Sequence, residues 1–249
     1  MKSIRTIALA LALLGSTLAI GRSQTVTGLD SLNYWGTGTN HAGLVISFND
    51  GKTNSTIAWG FAWNGTASVA SMLTSLAAAD PRLFARIDSA TGFGLGIFGL
   101  GYDANGNGIF SVTGAENPLG NPTTPVFTAG ISDLNTNSTT VQAPASSVGA
   151  APGEIADHYT EGWNDNGFWE LFTGGASSVY PTTWTSSMTG ATDTNLVNNG
   201  WFALSISNSD FSSNIPGAAV AAVPEPDSVA LVAGAGGLLL LWSRRRRHA

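Results

Sequence analysis

Between Thr56 and Trp63 the chain alternates strictly between bulky and small residues. Ile57, Trp59, Phe61 and Trp63 share one parity, and Ala58, Gly60 and Ala62 the other. Successive strand side chains point to opposite faces, so this run specifies a strand with one wholly large face and one wholly small one. The large face needs a cover, and the sequence offers one a few residues on. Val69, Met72, Leu73, Leu76 and Ala79 recur at helical spacing. Thr66 or Ser68 can cap that helix, and Pro81 forces its end around Ala79-Asp80. Residues 44–48 read as a preceding strand. Asn49-Asp50-Gly51-Lys52 reads as the hairpin turn between them, because Asp-Gly accepts positive φ.

Further strands are expected at 83–87, 92–102, 168–172 and 201–206, with Asn198-Asn199-Gly200 as the turn feeding the last. Residues 154–163 read as a short helix. Residues 114–153, rich in Pro, Thr, Asn, Ser and Ala, read as a long loop or insertion with short strands at Val126-Phe127 and Thr140-Val141. The order predicts a mostly β fold with one packed helix, an α+β arrangement. It is either a single sheet carrying the helix on one face or a β-sandwich-like domain. The early hairpin, the helix and the late strands carrying Trp and Gly are together similar to transcobalamin-type β-grasp domains, a likeness that implies a small-ligand binder.

Both ends carry segments of a different kind. Lys2 and Arg5 precede an apolar run at 7–14 and then small residues, the pattern of a secretory signal peptide, with Ala19 or Ser23 as its last residue. At the other end Val223-Pro224-Glu225-Pro226-Asp227 leads into an apolar run at 228–242, then Ser243 and Arg244, Arg245, Arg246 and Arg247. The two prolines keep the first stretch extended, as a protease cleft requires. As a helix the apolar run spans roughly 22 Å, short of the ~30 Å hydrocarbon core, which suits transient anchoring. Four arginines after it stay on the cytoplasmic side. This tail resembles the PEP-CTERM sorting signal of Gram-negative bacteria. The resemblance implies export, transient inner-membrane anchoring and cleavage near Pro224-Glu225-Pro226 by an exosortase. Delivery to the cell surface or to an extracellular polysaccharide matrix would follow. The domain plan is a signal peptide at 1–23, a globular domain at 24–207, a linker at 208–222 and the sorting tail at 223–249.

Between the two signals, residues 24–223 hold fourteen acidic side chains and three basic ones, Lys52, Arg82 and Arg86. Such a surface repels nucleic acid and anionic lipid and tolerates neutral glycans and divalent cations. There is no cysteine, so an exported domain of this length relies on its core alone.

Three groups of residues suggest chemistry. Asp103, Asn105 and Asn107, followed by Gly108, match the first half of a calcium loop, but position twelve is Gly114 where a glutamate is expected. No cofactor is expected beyond a weakly held calcium ion there, and a plain Gly/Asn-rich turn is the simpler alternative. On a helix Glu154, Asp157, His158 and Glu161 would share one face, as a metal or acid-base site or as a solvated surface. Trp163, Trp169 and Trp184 lie beside turn residues and read either as glycan-stacking rings or as core. No catalytic residue is assigned, since no G-x-S-x-G stretch marks a nucleophile. The expected role is non-enzymatic, a structural or glycan-contacting component whose partners are the export machinery, an exosortase and extracellular polysaccharide. A polysaccharide hydrolase is the alternative, with Asp157, Glu161, Asp165 and Glu170 as the carboxylates to test.

Overall fold

The hairpin read from the sequence is the centre of the fold. A computed structural model describes residues 24–89, 94–113, 130–133, 151–162, 167–208, 210 and 212–223. In it β2 (Asn40–Ser47) and β3 (Thr56–Trp63) pair antiparallel over their whole length, Asn40 opposite Trp63 and Ser47 opposite Thr56. The connecting turn takes Asn49 and Gly51 to φ of 48° and 72°, a region that asparagine and glycine enter most easily. On the β2 side the sheet continues through β12 (Gly200–Ile206), β10 (Trp169–Ala176) and β11 (Thr185–Ser186). On the far edge of β3, β1 (Tyr34–Gly36) and β13 (Val220–Ala221) both run parallel to it, making seven strands.

The helix α1 (Val69–Ala79) begins at Ser68, whose Oγ accepts from the Ser71 amide at 3.3 Å while Ser71 Oγ accepts from the Ser68 amide at 2.9 Å. This reciprocal cap satisfies two orphan donors. Val69, Met72, Leu73, Leu76 and Ala77 are buried, and Ala79, expected on that face, is exposed. They pack on the bulky face of β3, in a core shared with a second sheet. That sheet has the order β7 (Gly130–Asp133), β4 (Leu83–Asp88), β5 (Gly96–Tyr102), β9 (His158–Glu161). The buried Trp59 Nε1 donates to Asp80 Oδ2 at 2.7 Å, just past the helix. Two short strands, β6 (Val112–Thr113) and β8 (Ala151–Pro152), form a separate ladder. Among the described residues the chain is thus mostly β with one α-helix and two principal sheets.

The small face of the hairpin is covered as well. Ala58 and Val45 lie under Trp201 and Phe172, and Val26, Leu29 and Ala219 close over them. Gly43 is small for a reason: a Cβ there would sit 2.4 Å from the Trp201 ring.

Two expectations change. Residues 154–162 do not form the helix expected over 154–163: His158–Glu161 is strand β9, with His158 opposite Tyr102 and Glu161 opposite Gly99. Pairing with β5 satisfies the backbone and sends Tyr159 and Glu161 into buried sites on one parity, so the shared helical face of Glu154, Asp157, His158 and Glu161 does not exist. The linker expected at 208–222 ends inside the domain. The amides of Ala221 and Ala222 donate to Gln24 and Ala58 carbonyls at 2.8 Å, and Ala219, Ala221 and Ala222 are buried. Val126-Phe127, Thr140-Val141, the signal peptide and residues 224–249 lie outside the described residues.

Candidate functional site

Two places bring polar side chains together around space or around an unsatisfied atom. The first is a cleft of about 600 Å³ where the β10 edge meets the start of β5. Trp169, Leu171 and Leu204 line it from the β10–β12 pair, Leu95 from just before β5, Ile97 from β5, Ser186 from β11, and Ser187 and Thr189 from the segment after it. Trp169 is buried against Phe48, ring centroids 6.4 Å apart and edge to face. Its Nε1 has no hydrogen-bond partner. Glu170, next on the strand, projects from the other face. Its Oε1 accepts from Ser186 Oγ at 2.5 Å and Ser213 Oγ at 3.0 Å, while the buried Oε2 has no partner.

The second place is the loop after β5. Asp103 is buried, and its two carboxylate oxygens accept from the Gly106 and Gly108 amides at 2.7 and 2.8 Å. Asn105 Oδ1 accepts from the Asn107 amide at 2.9 Å, and Asn107 Oδ1 from the Ile109 amide at 2.7 Å. Both asparagine Nδ2 groups donate to Glu154, which the turn before β9 delivers from far along the chain. Asp157, from the same turn, is fully buried and takes the Ala104 amide on Oδ1 at 3.1 Å, leaving Oδ2 without a partner. Burial, then the neighbouring Asp103 and, more weakly, Glu154, push its pKa up to about 6 against the pull of the loop amides. Among the described residues no three His, Cys, Asp or Glu side chains already converge as a metal-binding group.

Beside this loop His158 Nδ1 meets Asp50 Oδ2 at 2.8 Å and stacks on Phe48 at 5.2 Å. Burial would raise the Asp50 pKa. The His158 hydrogen bond and charge, with Lys52 behind them, nevertheless hold it below its ordinary value. His158 therefore belongs to the hairpin turn rather than to Glu154 and Glu161. Glu161 is committed elsewhere, with Arg86 Nη1 at 2.5 Å and the Tyr159 hydroxyl at 2.7 Å.

The three candidate tryptophans do not form one exposed platform. Trp163 lies outside the described residues with Asp165. Trp169 is buried because its parity faces the main core. Trp184 is half-buried against Tyr180, edge to face at 6.0 Å. Glu154 and Asp157, expected as part of a helix, instead complete the Asp103 loop, a pairing that no local sequence pattern signals. No family model, curated protein or solved structure matches the chain.

Proposed function

We propose that this chain is an exported, non-enzymatic component of the cell surface or of an extracellular polysaccharide matrix. Residues 223–249 hand it to an exosortase, and its domain holds a polyhydroxylated ligand in the cleft at the β10 edge. Trp169 carries the binding half of this reading. An indole N–H can only donate, and a buried donor without an acceptor is costly. A sugar hydroxyl entering the cleft would supply the acceptor, while its apolar ring face would meet Leu171 and Leu204. Ser186, Ser187 and Thr189 add hydroxyls along one side of the cleft. Hydrolysis would need two carboxylates facing one cleft. Glu170 touches this one from the opposite face of β10, where Ser186 and Ser213 hold it, while Glu161 is tied to Arg86 and Asp157 to the 103–107 loop.

The order of features in the tail supports the sorting half, and so does the point where the tail leaves the domain. The Val223 carbonyl accepts from Arg82 Nη1 at 3.2 Å, so Pro224 follows the folded body directly.

Intact mass of the protein recovered from its native host, with and without the exosortase, tests the sorting. A product ending near Pro224 to Pro226 only when the protease is present is expected; a C-terminus running through Ala249 in both strains overturns it. A glycan array probed with wild type and Trp169→Phe tests the cleft. The ring is kept and the N–H lost, so at least about tenfold weaker binding is expected, and a folded wild type that binds no glycan overturns the assignment.

A further inference from the structure

We infer that the loop at 103–109, completed by Glu154 and Asp157, is a calcium site assembled from two distant segments of the chain. The inference is independent of the cleft. Asp103, Asn105 and Asn107 stand at positions one, three and five of a calcium loop, and Gly108 at position six has the positive φ, 73°, that the turn demands. Position seven offers the Ile109 carbonyl. The missing piece is the bidentate carboxylate of position twelve, where Gly114 has no side-chain oxygen. Glu154 stands in for it. Its Oε2 receives Asn105 Nδ2 at 2.6 Å and Asn107 Nδ2 at 2.9 Å, and its Oε1 receives Asn107 Nδ2 at 3.1 Å. A two-oxygen carboxylate thus already faces the loop's ligand side chains.

Asp157 points to a cation independently. It is fully buried, its Oδ1 is anchored on the Ala104 amide of this same loop, and its Oδ2 has no partner. A buried carboxylate oxygen left bare costs far more than a lost hydrogen bond, unless a proton or a cation meets it. The charged groups around it are Asp103, Glu154, Lys52 and Arg82. The two cations give their donors to main-chain carbonyls, Lys52 to that of Asp157, Arg82 to those of Asp103 and Ala104. Neither forms an ion pair with the three carboxylates. Asp103, Glu154 and Asp157 therefore lie around one loop whose neighbouring cations are bonded to its main chain. The asparagine NH₂ groups occupy the side of Glu154 where positive charge belongs. The Asn105 and Asn107 side-chain oxygens each accept one main-chain amide and keep a second lone pair for an ion, and a hard dication takes six to eight such oxygens. Two of the loop ligands are neutral, so the affinity belongs in the range of roughly 10⁻⁴–10⁻³ M found for extracellular modules.

The test uses the full chain purified in mild detergent and stripped with chelator. Titration with CaCl₂ is followed by calorimetry, and in parallel by terbium luminescence excited through Tyr102, the residue before Asp103. Wild type is expected to bind calcium in that range and to release terbium to it. Asp157→Asn and Glu154→Gln should each weaken binding by about tenfold or more while still melting cooperatively. A folded wild type that binds no calcium at tenfold above the range overturns the proposal. Calcium affinity unchanged in both variants overturns it equally, because the ion would then sit elsewhere.

Discussion

Asp157 is the residue at which the fold pays most visibly for position. With calcium chelated, its carboxyl has a pKa near 6 in the fold, pushed there first by burial, against an ordinary value of 3.8. A carboxyl that holds its proton more tightly when folded contributes stability fully below the ordinary value. That contribution is lost as pH rises through about 6. Asp157→Asn cannot ionise and keeps an oxygen for the Ala104 amide. In chelator it should melt above wild type at about pH 7.5, and the difference should close by about pH 3.5. Equal melting temperatures at both pH values would show that Asp157 carries no such penalty. Asp50 runs the other way. Its pKa is held below the ordinary value, so its contribution is present above that value and lost as pH falls through the folded one. Gly43 sets a steric constraint instead. Gly43→Ala drives a methyl into the Trp201 ring, and overpacking of this kind costs about 1–3 kcal/mol, readable as a drop in urea midpoint.

At the scale of elements, α1 depends on its first turn. Ser68→Ala removes the acceptor for the Ser71 amide and should cost about 1 kcal/mol in thermal or urea melts; a loss below a few tenths would mean that water caps the helix equally well. Elements whose evidence lies within themselves were legible. The alternation of 56–63, the turn at 49–52 and the spacing of Val69, Met72, Leu73 and Leu76 each determine an element without reference to any other. Elements decided by distant partners were not legible. Residues 154–161 fit a helical face and a strand parity equally well, and only pairing with β5 selects the strand. Val26, Leu29, Ala219 and Ala221 carry no periodicity, so the second core over Ala58 had no signature. Trp169 was placed on a strand, but which face was covered depends on α1 and the second sheet. The half-loop Asp103–Asn107 was visible in sequence, whereas its completing carboxylate was not, because Glu154 lies 47 residues beyond Asn107, after β6, β7 and β8.

Across the whole molecule, the three basic residues of the domain are all used internally, while Asp30, Asp133, Asp193 and Asp210 face outward. Arg86 pairs with Glu161, and Lys52 bonds the Asp157 carbonyl. Arg82, stacked 4.6 Å over the Tyr102 ring, donates to the Asp103, Ala104 and Val223 carbonyls. One guanidinium thereby ties the start of the proposed calcium loop to the last residue before the Pro-Glu-Pro motif. A buried charged donor with three acceptors is expensive to delete, so Arg82→Ala should cost about 3 kcal/mol or more. The distinctive consequence is spatial. Amide exchange in wild type should be slow at Ala221 and Ala222, which pair with Gln24 and Ala58. In Arg82→Ala exchange should quicken at Asp103, Ala104 and 221–223 together, more than in the β2–β3 hairpin. Quickening spread evenly over the domain would mean that Arg82 only adds to global stability. A local response would show that the tail's exit and the loop share one anchor. Calcium added to wild type should then slow exchange at 221–223 although the ion touches none of these residues, because a firmer loop holds the Asp103 and Ala104 carbonyls on Arg82.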